Sequence, residues 1–345
     1  MKLGLVIGYW NSSGPPADAV EQVRAAEELG FDSMWTAEAY GSDAFTPLAW
    51  WGSATSTIRL GTGVTQVSAR TPASTAMTAI TLDHLSGGRL ILGLGVSGPQ
   101  VVEGWYGQPY AKPLARTREY VEILRRIFRR EEVDFQGTHY KMPLGADAGG
   151  TGLGKPLKSI VRPLRDDIPI HLGAEGPKNV ALAAEIADGW LPIFFSPESD
   201  AFYRAALAEG FAREGARRTP DDFEISCVVP AIVGNDVEGC ADLLRPMYAL
   251  YIGGMGARDT NFHFDVFSRL GYEGACHDIQ DLYLAGRKDE AIAKVPTALV
   301  EDVALIGPAA KVAEDLERWK ATCLTTMLVS GPPSLLQQIA EIVGA

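Results

Sequence analysis

Short apolar runs of strand length alternate along this chain with longer amphipathic stretches whose apolar residues recur three and four positions apart. Lys2 to Ile7 reads as a buried strand. Asp18 to Leu29 follows as a helix with Val20, Val23 and Ala26 on one face, and Gly30 is placed to end it. Ser33 to Thr36 is the second strand. A helical stretch near Pro47 to Thr57 leads into the third, Arg59 to Gln66, and Thr71-Pro72 opens a helix to about Leu85 with proline in its permitted first turn. Arg89 to Leu94 forms the fourth strand, bounded by Gly87-Gly88 before it and by the series Gly93, Gly95 and Gly98 after it.

The alternation resumes at Ile168 to Leu172, the fifth strand, followed by the turn GAEGP and a helix from Lys178 to Ile186. Gly189 to Pro192 is the sixth strand, Pro197 to Arg213 a helix, and Phe223 to Val233 the seventh strand. A helix from Pro308 to Lys320, an eighth strand at Thr325 to Val329 and a closing helix from Pro333 to Val343 complete the series. Eight such alternations predict an α/β fold, a (β/α)8 TIM barrel formed as a single domain over residues 1–345. A doubly wound sheet is the runner-up.

Two insertions interrupt the pattern, one after strand four at about 133–165 and one after strand seven at about 236–300. In the first, Val133 to Lys141 reads as a hairpin turning at Gln136-Gly137, and the glycine-rich AGGTGLGKP follows, as in a lid or rim. The second is helical and polar except for Tyr248 to Met255, an apolar segment to be buried either at a homodimer interface or under the insertion itself.

With 46% hydrophobic residues in 345, the chain has material for a large core. The opening apolar run breaks at Asn11 to Pro16, too soon for a signal peptide, and no later run approaches a membrane span. Cys227, Cys240, Cys276 and Cys323 lack CxxC spacing, which predicts reduced thiols in a cytoplasmic protein and no metal site. A net charge of −12 disfavours nucleic acid as a partner. That charge is uneven. Residues 112–165 carry 12 Lys or Arg against 6 Asp or Glu, and the rest carries 19 against 37. The plain reading is a solvated helix over Arg116 to Arg130 with Val121, Leu124 and Phe128 inward; a binding patch is the other.

In a barrel, chemistry sits on the loops at the carboxyl ends of the strands. Here those are Gly8 to Trp10, Ala37 to Tyr40, Thr65 to Ser68, Val96 to Pro99 and Gly173 to Pro177. Two are glycine-rich, and GAEGP opens a helix whose free N–H groups suit phosphate. No nucleophile–base pair is evident, and His84, His139, His171, His263 and His277 are isolated in sequence, each better read as structural. Loops shaped for a cofactor with few catalytic side chains imply that the cofactor performs the chemistry.

Taken together, GTGVTQVSARTP, LSGGRLILGLGVSGPQ and IHLGAEGPKNVALAAEIADGWLP resemble the luciferase-like monooxygenase superfamily, and within it the branch that uses the deazaflavin coenzyme F420. The resemblance runs from the first strand to Val329. It implies a non-proline cis peptide in a strand-three bulge behind the cofactor ring, at the matching position Gln66-Val67. It further implies that Thr65, Gln66 and Val67 lie at the ring, with Glu38 the acidic residue beside it. Gly95, Val96, Ser97 and Gly98, together with Gly173, Ala174, Glu175, Gly176, Pro177 and Asn179, would hold the ribityl chain and phosphate.

This chain departs from that pattern at two positions. The sugar-phosphate and alcohol dehydrogenases of the branch place a histidine after the acidic residue, where Ala39 stands, and a glutamate in the loop where Val96-Ser97 stand. Two proton-transfer groups are therefore missing. The resemblance then implies hydride transfer between the deazaflavin C5 and an organic substrate in a pocket of Tyr9, Trp10, Tyr40 and Trp105, with Glu38 the candidate for proton assistance. Lys155 and Lys158 would meet the anionic tail of the coenzyme. An FMN-dependent monooxygenase and a non-catalytic flavin or deazaflavin carrier are the alternatives, and a homodimer acting on a small molecule is the expected assembly.

Overall fold

The computed structural model describes residues 1–345 except 11, 13, 257, 259, 260 and 345. Its centre is a closed barrel of eight parallel strands: β1 (Lys2–Ile7), β2 (Ser33–Thr36), β3 (Arg59–Thr62, resumed at Thr65–Gln66), β4 (Leu90–Gly95), β5 (Ile170–Gly173), β6 (Gly189–Leu191), β7 (Glu224–Val228) and β8 (Thr326–Val329). Pairing of β1 with both β2 and β8, and of β3 with β4, closes the ring. The seventh strand is shorter than its apolar run. Pro230 has no N–H to give a ladder, and Ala231–Val233 leaves the barrel to pair with Leu305–Gly307.

Helices pack around the ring: α1 (Ala19–Glu28), α2 (Phe45–Gly52), α3 (Pro72–Leu85), α4 (Pro99–Gly104), α5 (Pro113–Phe128), α6 (Pro177–Ile186) and α7 (Asp200–Phe211). The first insertion forms a two-stranded hairpin of Phe135–Gln136 and Lys141–Met142. Its turn begins one residue later than expected, because Gln136 stays in the ladder and the Gly137 N–H donates to Tyr140 O at 2.9 Å. The second insertion contributes α8 (Val237–Gly253), α9 (Phe262–Phe267), α10 (Glu273–Leu284), α11 (Lys288–Ala293) and α12 (Thr297–Val303) before α13 (Ala309–Lys320) and α14 (Pro333–Val343) close the chain. Tyr248, Ala249 and Ile252 are buried within that insertion, against Phe267, Ile279 and Leu299, which accounts for the apolar Tyr248 to Met255 segment without a second subunit. No described helix is long and apolar enough to cross a membrane.

Charge closes the floor of the barrel, the end at which the strands begin. Lys2 Nζ lies 3.1 Å from Asp32, and Arg59 bridges Asp32 and Glu224. Arg89 of the LSGGR motif also belongs here. Its guanidinium donates to Ile58 O at 2.7 Å, Ser86 O at 2.8 Å and Gly52 O at 3.2 Å, tying α2 and α3 to the start of β4. The motif that anchors the resemblance is thus partly a structural clamp, remote from the carboxyl ends.

A second charged cluster lies between α5, α6 and β6. Asp188 is buried and accepts from Arg125 at 2.6 Å, Arg217 at 2.7 Å, Arg218 at 2.8 Å and the Ile170 N–H at 2.8 Å. Burial alone would raise its pKa, but the Arg125 guanidinium and the Ile170 N–H outweigh burial and bring the carboxyl down to about 2. Since the unfolded value is near 3.9, this stabilisation is complete above about pH 4 and lost as pH falls toward 2, a term of about 2 kcal/mol. Asp188→Asn should lower stability at pH 7 by about 3–5 kcal/mol, because three arginines lose their shared partner. Melting curves between pH 2 and 7 should show a flatter acid limb for this variant than for the wild type.

Candidate functional site

The third strand shapes the carboxyl face of the barrel. It pairs with β4 through Leu60–Leu90 and Gly61–Ile91, then through Thr65–Leu94 and Gln66–Gly95. Four steps along β3 therefore match three along β4, and the surplus residue makes a bulge. Thr62 bridges the gap: its Oγ1 accepts from the Gly93 N–H at 2.9 Å and donates to Gly93 O at 2.8 Å. The non-proline cis peptide lies inside this bulge at Gly63–Val64, three residues before the expected Gln66-Val67. Gln66 and Val67 instead resume the ladder, the Val67 N–H donating to Gly95 O at 3.0 Å.

The strand-end glycines fit this bulge. A Cβ on Gly93 would lie 1.7 Å from Thr62 O, one on Gly95 2.5 Å from Val64 Cγ2, and one on Gly173 3.1 Å from Val64 Cγ1. Close approach of backbone and Val64 explains these three positions before any ligand is considered. Val64 itself packs against the interior layer of Trp35, Ile91, Leu191 and Leu328.

Glu38, two residues past β2, is buried beneath the neighbouring loops. Its Oε1 accepts from Thr65 Oγ1 at 2.8 Å, the Gln66 N–H at 2.8 Å and Arg70 Nη1 at 2.6 Å, and Oε2 accepts from the Ala44 N–H at 3.2 Å. Gln66 Nε2 reaches back to Glu38 O and Ala39 O at 3.2 and 3.3 Å. Both oxygens of the carboxylate are thus engaged, and Arg70 supplies its counter-charge. Its geometry is that of a brace locking the β2 loop to the β3 bulge. Arg70 is the member of this brace that sequence reasoning passed over; it stands in the SARTP entry to α3, where the spacing gave no hint of a carboxylate 32 residues away.

On the next two loops, Ser97 adopts a left-handed backbone with φ 59°, rare for a residue with a side chain and typical of functional loops. Gly98 and Gly176 cap α4 and α6 in extended conformation with no side-chain cap, so neither supplies an oxygen to the first-turn N–H groups. Ala174 O accepts from Trp190 Nε1 at 2.8 Å, fixing the β5 loop to β6. Asn179 is half-buried in the first turn of α6. Beside Val67, Ser68 and Val96 lies a narrow crevice that includes Tyr110 and Arg116. Arg116 Nε is buried there without a partner among the described residues.

The four aromatics expected in a pocket divide. Tyr9 and Tyr40 are both open to solvent at the mouth, 40% and 57% exposed. Trp10 packs on Trp51 of α2 with ring centroids 6.3 Å apart, so it serves the helix layer. Trp105 is 65% exposed at the end of α4, and its neighbour Tyr106 is the one that reaches the loops, donating to Ala39 O at 3.0 Å. The second insertion adds residues with no sequence signal of proximity. Tyr251 of α8 and His263 of α9 stack edge-on at 4.9 Å, and His263 Nδ1 comes within 3.0 Å of Glu175 Oε1.

Six of the twelve cations in the basic block are ion-paired. Arg118 meets Glu185, Arg126 meets Glu122 and Arg129 meets Glu131, as expected for a solvated helix face. Lys158 sits between Leu157, whose O accepts from the Val133 N–H, and Ser159, whose O accepts from Arg130 Nε, beyond the far end of α5. That is the floor side, about 20 Å from the mouth at about 3.3 Å per strand residue. Lys158 is therefore placed away from the carboxyl face, where an anionic coenzyme tail was expected to meet it. Neutralising Lys158 should leave coenzyme affinity within about twofold at about 0.1 M salt and above, since the separation exceeds the Debye length of about 10 Å there, as a fluorescence titration would register.

Among the described residues no cluster of His, Cys, Asp and Glu could hold a metal ion. A closed (β/α)8 barrel with its bulge, two glycine-capped helix starts and a covering insertion gathered at the carboxyl face defines a ligand-binding barrel of the enzymatic type. The chain belongs to the luciferase-like monooxygenase family, which it matches over residues 1–326. It is 55% identical over 345 residues to a putative coenzyme F420-dependent oxidoreductase of Mycobacterium tuberculosis, covering 99% of both chains. It is also 33% identical over 234 residues to a 5,10-methylenetetrahydromethanopterin reductase of Archaeoglobus fulgidus, covering 67% of this chain and 65% of the relative. Among solved structures, the coenzyme F420-dependent tetrahydromethanopterin reductase of Methanopyrus kandleri shares the fold with a TM-score of 0.80 at 23% identity, over 99% of this chain and 97% of that one.

Proposed function

We propose that this protein is a coenzyme F420-dependent oxidoreductase that transfers a hydride between the deazaflavin and an organic substrate. The observation that carries this reading is the 55% identity, end to end, with a protein named for that activity. The residues present fit such a group. Val64, presented by the bulge between Gly95 and Gly173, offers an apolar support for a planar ring, and Gln66 Oε1 is a buried acceptor without a partner. Val96 to Gly98 and Gly173 to Asn179 would hold the ribityl chain and phosphate through N–H groups at the starts of α4 and α6. Arg116, beside Val96, is the cation suited to an anionic extension of the coenzyme.

When bound, the deazaflavin supplies hydride chemistry at C5. The protein's own part is to bind, orient and exclude water. Glu38 and Arg70 hold the bulge in place, and Tyr9 and Tyr40 flank the entrance for the substrate. A panel of carbonyl, imine and activated alkene substrates, followed through deazaflavin absorbance, tests the catalytic reading. Turnover of at least one is the expected result. Coenzyme binding without turnover across the panel would favour a carrier.

A further inference from the structure

Ala39 and Val96-Ser97 carry no acidic or imidazole side chain, and elsewhere on the carboxyl face the second insertion brings His263 to Glu175 of the β5 loop. Glu175 follows β5 at the carboxyl face, and its side chain is only 16% exposed. Its Oε1 lies 3.0 Å from His263 Nδ1 without the alignment of a formed hydrogen bond, and its Oε2 is buried with no partner among the described residues. Such loose geometry is common in unliganded sites and tightens when ligand binds. His263 is wedged between barrel and insertion: its ring stands at 90° to Phe194, which follows β6, and at 80° to Tyr251 of α8. Burial, with Tyr9, Glu175 and Tyr40 nearby, pushes the Tyr251 hydroxyl far up, so it stays protonated at neutral pH.

Resting on the oxidoreductase reading, we propose that Glu175 and His263 form the proton-handling pair of this site. Two-electron reduction of an unsaturated substrate breaks a π bond, and a hydride forms the new C–H bond at one atom. The reduced deazaflavin supplies that hydride and is thereby oxidised. The other atom takes a proton, which leaves the His263 imidazolium and is replaced from solvent; oxidation runs the same steps in reverse. Glu175 sets the tautomer and holds the charged ring, as a carboxylate beside an imidazole does. Among the described residues, the two aromatic rings that face it, Phe194 and Tyr251, carry no charge.

Acylation by diethylpyrocarbonate, which attacks neutral imidazole, tests this without a known substrate. Peptide mapping separates His263 from the other four histidines. In the intact protein, Glu175→Gln should change the rate of His263 acylation at pH 6 at least threefold, since Nδ1 loses the carboxylate 3.0 Å away. Saturating coenzyme F420, its binding followed by fluorescence, should slow His263 acylation at least tenfold and leave exposed His84 unaffected. An unchanged rate in Glu175→Gln overturns the pair. Bound coenzyme that gives no protection overturns the proton role alone, whereas failure of the coenzyme to bind removes the oxidoreductase reading and the proton role with it.

Discussion

Replacing Glu38 by leucine is expected to abolish coenzyme binding and to cost about 3–5 kcal/mol of stability, the range for removing one member of a buried ion pair. Arg70 would keep its charge without its 2.6 Å partner, and the Thr65 hydroxyl, the Gln66 N–H and the Ala44 N–H would all lose their acceptor. The bulge would then keep only its ties to backbone atoms of the β2 loop, among them Gln66 Nε2 to Glu38 O and Ala39 O. Glu38→Gln keeps the shape and one acceptor oxygen, and should cost about 1–3 kcal/mol. Urea midpoints give the stability terms, and fluorescence titration with coenzyme F420 gives the affinity. Because the carboxylate braces the site, any activity left in Glu38→Gln should keep the wild-type pH profile. A shifted profile would return Glu38 to the chemistry.

Gly93→Ala should be the more damaging change, destabilising by more than about 4 kcal/mol through forced backbone movement. The added methyl would meet the Thr62 carbonyl at 1.7 Å and Leu191 Cδ1 at 2.8 Å, and a carbonyl within a barrel ladder cannot swing aside as a side chain can. Gly104→Ala is the control. A Cβ there meets nothing within 4 Å at the end of α4, so its effect should stay within about 0.5 kcal/mol of neutral or be stabilising. Soluble yield and denaturant midpoints compare the two. Equal stability of both variants would mean that the bulge is not packed against β4 as described.

The barrel was legible because its signal is repetitive: eight buried runs, each followed by an amphipathic helix, leave few other architectures. The loops at the strand ends were legible for the same reason. What the pattern did not reveal depends on contacts distant in sequence. The bulge position follows from a register mismatch between β3 and β4, which no single strand displays. The end of β7 was hidden because Val229 and Ala231 continue the apolar run across Pro230. The pairing of Glu38 with Arg70 and the approach of His263 to Glu175 are tertiary, the latter across 88 residues and an insertion without barrel periodicity. Charge counting did not separate Arg116, at the start of α5 beside Val96, from Lys158, in the coil beyond the far end of that helix, because composition carries no position.

The central claim is that this barrel is built for a deazaflavin, and side-by-side titration of the purified protein with coenzyme F420 and with FMN tests it most directly. The account predicts saturable binding of coenzyme F420 at micromolar or lower concentration, with FMN at least tenfold weaker. It further predicts that Arg116→Gln weakens coenzyme F420 in a salt-dependent manner. Tight binding of FMN with no measurable binding of coenzyme F420 would contradict it.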